Sequence, residues 1–230
     1  MTKNLKAVIF DMDGLFLDSE RVYREGWFIG AKALNITLPE GIVNRMAGRS
    51  PDANTQELVD FIGDKEKVLE IRKLREKHFY TQLDSNQITL KHYFRALVHT
   101  LKNNQVKTVV ATTSHQQRVA DIFNHFDLSP LFDIVITGDQ VTHMKPSPDI
   151  YLEAQKQLKF SKDDLLVLED SVTGASAANA AEIPFIMVPD RSLPGKIEIP
   201  ANFVHMLSKV ESLKNVEEWL YQNEAFASMK

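Results

Sequence analysis

Three observations predict an α/β fold, a parallel sheet with helices on both faces that carries an inserted helical unit. First, five short runs are rich in β-branched residues with little polar alternation: Ala7-Val8-Ile9-Phe10, Lys107-Thr108-Val109-Val110-Ala111, Ile134-Val135-Ile136-Thr137, Leu165-Leu166-Val167-Leu168 and Phe185-Ile186-Met187-Val188. Continuous apolar runs of this length read as strands covered on both faces. Second, from the second run onward helical patterns separate the runs, and strand–helix–strand alternation means right-handed crossovers and a parallel sheet. Third, about a hundred residues between the first two runs hold no convincing buried strand.

The elements follow in order. After the first strand, Tyr23, Trp27, Ala31 and Leu34 form one helical stripe. Ser50-Pro51-Asp52 reads as a helix start, with Ser as N-cap and Pro at the first helical position. A third, highly charged helix is expected from Lys65 to Leu83. Residues 91–103, with Phe94, Leu97, Val98 and Leu101 at helical spacing, already supply the one helix an ordinary crossover needs. The three earlier helices therefore read as an inserted unit, residues 18–86, on a core of residues 1–17 and 87–230. Further helices are marked by Val119, Ile122, Phe123 and Phe126, and by Ile150, Ala154 and Leu158.

Composition narrows the chemistry. The 230 residues are 43% hydrophobic and 25% charged, which is ordinary for a globular chain able to bury a core. The net charge of -4 gives no sign of a nucleic-acid surface. There is no cysteine, so disulfides, thiolate-bound zinc and thiol catalysis are excluded. The seven histidines show no metal-ligand spacing. No run approaches the ~20 apolar residues of a membrane helix, and the N-terminal apolar run is too short for a signal peptide. The expectation is a cytoplasmic protein, with a monomer favoured and no membrane or nucleic-acid partner.

Polar groups gather at the strand ends. Asp11 and Asp13 follow the first strand, Thr112, Thr113 and Ser114 the second. Lys145, in Lys145-Pro146-Ser147-Pro148, follows the third, and Glu169-Asp170-Ser171 with Gly174 the fourth. Ligands of open parallel sheets sit beyond these carboxyl ends. The carboxylates of Asp11, Glu169 and Asp170 are hard oxygen ligands suited to Mg²⁺. Such a cation lets neighbouring carboxylates stay ionised together. Lys145 and Thr112 would complete a cage for a phosphoryl group, whose transfer needs mainly positioning and charge stabilisation.

This ordered set resembles the haloacid dehalogenase superfamily, in its phosphatase and phosphomutase-like branch with a small helical cap after the first strand of a Rossmann-like core. The matching residues are Asp11-Met12-Asp13-Gly14, Thr112, Lys145 before Pro146, and Glu169-Asp170-Ser171 with Gly174. The chains that this one resembles usually have Gly at the end of the helix after the fourth strand; Ala180-Ala181-Glu182-Ile183-Pro184 has Glu182 instead, so an altered helix end is expected there. The resemblance implies that Asp11 is a nucleophile taking the phosphoryl group and Asp13 the general acid and base. It implies that Thr112, Thr113 and Lys145 bind phosphoryl oxygens. It also implies a Mg²⁺ held by Asp11, the Asp13 backbone carbonyl, Asp170 and Glu169, the last directly or through water. Arg49, Glu20 and Ser114 are candidate substrate contacts. The expected reaction is hydrolysis of a small phosphomonoester, a sugar phosphate or nucleoside monophosphate. Dehalogenase relatives lack the second aspartate, and phosphomutase relatives commonly carry a His near the position of Tyr23, so hydrolysis is preferred to either. A sugar phosphomutase, a phospho-aspartate signalling switch and a non-catalytic binding protein remain alternatives. Chain length, the insert and Asp13 argue against a switch. The intact catalytic set argues against a binding protein.

Overall fold

The computed structural model describes residues 4–46, 51–192 and 198–226. Six parallel strands form one sheet: β1 Ala7–Phe10, β2 Lys107–Ala111, β3 Ile134–Ile136, β4 Leu165–Glu169, β5 Phe185–Met187 and β6 Met206–Lys209, in the order β3-β2-β1-β4-β5-β6. The five expected runs are the first five strands. β6 went unpredicted because it is a short, half-exposed edge strand with no apolar run. β4 extends one residue beyond the apolar run, so Glu169 is itself a strand residue.

Period-two alternation sorts the sheet into two faces. Val8 and Phe10 belong to one buried cluster with Phe16, Phe94 and Val110, whereas Ala7 and Ile9 belong to another with Val109, Tyr151 and Val167. The helices α5 Phe94–Asn103, α6 Gln116–Phe126, α7 Asp149–Leu158, α8 Val172–Ala180 and α9 Leu213–Gln222 complete the core. Tyr151 is wholly buried on the face of α7 turned to the sheet.

Between β1 and α5 lie four helices among the described residues: α1 Glu20–Ala33, α2 Glu40–Arg45, α3 Pro51–Ile62 and α4 Lys65–Asp84. The short α2 is additional to the three expected from the sequence. At six residues it is too short to display a helical stripe. Trp27, Ala31, Val43, Leu58, Val68 and Ile71 build a separate apolar cluster inside this unit. Val22, Phe79 and Leu83 instead join the main cluster, anchoring α1 and α4 to the sheet. Arg49 and the N-cap expected at Ser50 lie outside the described residues.

The helix end at Glu182 corrects an expectation. Glu182 takes φ 57° and the Ile183 N–H donates to Ala178 O at 3.2 Å, so α8 closes as a glycine-terminated helix would. The paired carbonyls and the Lys162–Glu182 contact at 2.9 Å offset the cost of a side chain in that backbone region.

Candidate active site

The chain runs β1, β2, β3 to one side and then returns to place β4 against the other side of β1. The crevice at that reversal is where open α/β sheets bind ligands. Residues from all four expected strand ends meet there, lining a cavity of about 370 Å³ that the helical insert also walls.

Asp11 extends β1, its N–H bonded to Leu168 O at 3.1 Å. The chain then turns back so that the Gly14 N–H reaches Leu17 O at 2.9 Å. Gly14 has φ +86°, and a Cβ there would collide with the Asp170 carboxylate, so both conformation and space demand glycine. The turn brings Ser19 under Asp13. Ser19 precedes α1 at the N-cap position but makes no cap bond, because its hydroxyl donates to Asp13 Oδ1 at 2.7 Å. The Ser114 hydroxyl donates to Asp13 Oδ2 at 2.9 Å. Both Asp13 oxygens are thus held by neutral donors.

Asp11 has different company. Lys145 is 4% exposed and donates to Asp11 Oδ1 at 2.5 Å, Glu169 Oε1 at 2.7 Å and Ala111 O at 3.0 Å. Glu169 Oε1 also accepts from the Tyr151 hydroxyl, and Lys145 Nζ lies 4.9 Å from the Tyr151 ring centre. A Cβ at Gly174 would overlap the Glu169 carboxyl, so α8 approaches the site only because that position is glycine. Thr112 is buried at the end of β2; its Oγ1 accepts from the Ser114 N–H at 3.1 Å, leaving its own proton to donate. Thr113 lines the cavity, and Glu20 lines it beside Gly14.

Asp11, Glu169 and Asp170 present oxygen atoms within 4.8 Å of one another, all three residues buried. Burial pushes Asp11 up to about 8, with Glu169 and Asp13 adding to the rise and Lys145 opposing it. Burial also raises Asp170 well above the usual carboxylate range, helped by Asp11 and Glu169. One lysine does not neutralise three buried carboxylates, so this donor set fits a hard divalent cation such as Mg²⁺. The Asp13 side chain stands outside the cluster.

Several residues that line or support the site escaped the sequence reading. Tyr151 was hidden in the apolar stripe of its helix and Ser19 looked like an ordinary N-cap. Arg72, Arg75 and Arg118 were unremarkable in a charged helix and a surface-like one, and only the fold brings them together. Tyr23 and Trp27 both line the cavity while packing within the insert, Tyr23 stacked on Phe79 with ring centres 5.1 Å apart.

A family model described as haloacid dehalogenase-like hydrolase matches residues 8–188. A phosphorylated carbohydrates phosphatase of Thermotoga maritima is 30% identical over 217 residues, covering 94% of this chain and 100% of that protein. Among solved structures, CbbY from Rhodobacter sphaeroides in complex with phosphate superposes with TM-score 0.75 at 22% identity, over 92% of this chain and 96% of that one. The β-phosphoglucomutase of Clostridium difficile gives TM-score 0.77 at 21% identity, over 96% and 97% of the two chains. These two structures share the fold.

Proposed function

Because the chain belongs to the haloacid dehalogenase-like hydrolase family, we propose that it is a Mg²⁺-dependent phosphatase of small phosphomonoesters, sugar phosphates or nucleoside monophosphates, acting through an aspartyl phosphate. The observation that carries this reading is the opposite treatment of two aspartates one residue apart. Asp11 sits against Lys145 and the acidic cluster, whereas Asp13 is held away from the cluster by two hydroxyls. One is placed to meet phosphorus and the other to move a proton.

An Asp11 oxygen attacks phosphorus and the bond to the ester oxygen breaks. Asp13 gives its proton to that leaving oxygen. A water then attacks the aspartyl phosphate while Asp13 takes its proton, which restores Asp11 and releases inorganic phosphate. Thr112 and Thr113 are placed to donate to phosphoryl oxygens, and Lys145 keeps a positive charge beside the nucleophile. Glu169 and Tyr151 fix that lysine in place. Mg²⁺, held by Asp11 and Asp170 with Glu169 beside them, supplies the charge that lets these carboxylates ionise together. Residues 18–86 form a cap over the site that excludes water during the chemistry.

The relative from T. maritima is named for phosphorylated carbohydrates, and this favours a sugar phosphate. Tyr23 stands near the position where phosphomutase relatives carry a proton-transferring histidine, and it stacks flat on Phe79. That favours hydrolysis over mutase chemistry. The test is phosphate release from a panel of phosphomonoesters with Mg²⁺ and with EDTA. Release that needs Mg²⁺ and disappears in Asp11→Asn is expected; an Asp11→Asn variant of wild-type activity overturns the mechanism.

A further inference from the structure

The cavity is basic on its far side. Four of the chain's nine arginines line it, Arg24, Arg72, Arg75 and Arg118, although the chain as a whole carries a net charge of -4. Arg24 is offset by Glu40 at 3.5 Å. The other three share one carboxylate. Glu76 pairs with Arg75 and, at 2.8 Å, with Arg118. Arg72 donates to the Thr55 hydroxyl at 2.7 Å and has no carboxylate within ion-pair distance among the described residues. Burial and the neighbouring Arg75 press Arg72 toward losing its proton, and Asp52 and Glu76 oppose them only in part. Three guanidinium groups share one ion-paired carboxylate, with Asp52 acting on Arg72 and Asp13 on Arg118 from beyond ion-pair distance, so this wall is rich in positive charge.

The wall is also rigid. The Arg118 guanidinium lies 4.6 Å from the Tyr23 ring centre and 4.3 Å from that of Phe79. Arg75 lies 5.0 Å from Tyr23 and 4.4 Å from Trp27. Aromatic faces hold planar guanidinium forks without consuming their hydrogen bonds, and such forks match the oxygens of a carboxylate or phosphate. The transferred phosphoryl group has its own partners at the opposite end, in Lys145, Thr112 and the carboxylate cluster. A neutral sugar or nucleoside offers the arginine wall only neutral acceptors, whereas a second anion offers it the stronger charge-assisted, bidentate pairing.

We propose that the substrate carries a second anionic group, phosphate or carboxylate, on the part that leaves, and that Arg72 and Arg118 receive it. This rests on the phosphomonoester reading above and narrows its substrate class. Two matched pairs test it: fructose 6-phosphate against fructose 1,6-bisphosphate, and glucose 6-phosphate against 6-phosphogluconate. In at least one pair the doubly anionic member should have the higher kcat/KM by about 10- to 100-fold, chiefly through KM, as charged hydrogen bonds provide. The pair that responds identifies the second group. Arg72→Gln and Arg118→Gln should each pull that ratio toward one, and Arg72→Lys should keep part of it, which a folding defect does not do. Equal kcat/KM within both pairs overturns the proposal, as does an Arg72→Gln variant that keeps the full ratio or lowers both members of a pair alike. Equal release from all four esters overturns this proposal alone. No release from any of them, nor from p-nitrophenyl phosphate with Mg²⁺, overturns the hydrolytic reading and this one with it.

Discussion

Mg²⁺ affinity should climb steeply with pH across neutrality, and the size of the effect can be worked from the carboxylate cluster. Lys145 bonds Asp11 at 2.5 Å and Glu169 at 2.7 Å, so its single charge is divided between two carboxylates while Asp170 has none. Burial then holds Asp11 at about 8 and raises Asp170 in the same direction. Below pH 8 the metal-free site keeps a proton that a cation must displace. Each unit of pH below that point costs binding ~1.4 kcal/mol, or about tenfold, per displaced proton. Between pH 8 and pH 6 the apparent Kd should therefore rise about 50-fold from Asp11 alone, and more steeply where Asp170 joins. The linked stability of the metal-free protein runs the opposite way with pH. The folded metal-free protein holds protons that the unfolded chain has released, so its stability is greatest below the ordinary carboxylate pKa of 3.8 and falls as pH rises toward about 8. Titration calorimetry in two buffers of different ionisation enthalpy counts the protons released on binding. A Kd constant within about threefold between pH 6 and pH 8, with no proton released, refutes the reasoning.

Four further outcomes follow from the geometry. Asp13→Asn should lower kcat by about 10²- to 10⁴-fold while Mg²⁺ affinity stays at the wild-type value, because its side chain lies outside the acidic cluster; a matching loss of metal binding in the same calorimeter would reassign it. In Ser114→Ala, Asp13 keeps only the Ser19 hydroxyl, and stopped assays should show kcat reduced by about the tenfold that ~1.4 kcal/mol of lost orientation represents, with Tm nearly unchanged. Lys145→Met strips Asp11 and Glu169 of their buried partner; chemical denaturation of the metal-free variant should register a loss of about 3–5 kcal/mol, and wild-type stability would show that the lysine offsets nothing. Finally, Glu182→Gly removes a side chain from backbone at φ 57° and should raise Tm by about 1–3 °C, an unchanged or lower Tm meaning that the Lys162 contact outweighs the strain.

What could be read from the sequence was what repeats or ends a repeat. The first five strands announced themselves because burial on both faces forces unbroken apolar runs, and residues just past four of those runs come together at one crevice. β6 at the sheet edge buries little, so Met206-Leu207-Ser208-Lys209 carries no such signature. The six residues of α2 are under two helical turns and cannot show a period. The supporting contacts were illegible for another reason. Tyr151 reaches Glu169 across 18 positions, Ser114 reaches Asp13 across 101, and Glu76 reaches Arg118 across 42. No local pattern encodes such pairings, since the fold alone sets which side chains face each other. Glu182 marks the opposite limit. A residue that propensity disfavours in left-handed backbone adopts it because the Ile183 and Glu182 N–H groups both find carbonyl partners there.

The joint between the sheet and the helical insert lies inside the chemistry. Two chain crossings run side by side: the Asp18 N–H donates to Thr89 O at 2.9 Å and the Lys91 N–H to Phe16 O at 2.8 Å. Lys91 then pins both to the core, its amine 2.7 Å from Asp190 and 3.4 Å from Asp18. Ser19, between this joint and α1, is the residue that holds Asp13 Oδ1. Ser19 therefore ties one oxygen of Asp13 directly to the start of α1. Asp11 has no such link, because its partners Lys145 and the Leu168 carbonyl belong to the core. Asp11 is thereby held from the core alone, whereas Asp13, just beyond Met12 in the chain, is held from the core by Ser114 and from the start of the helical insert by Ser19.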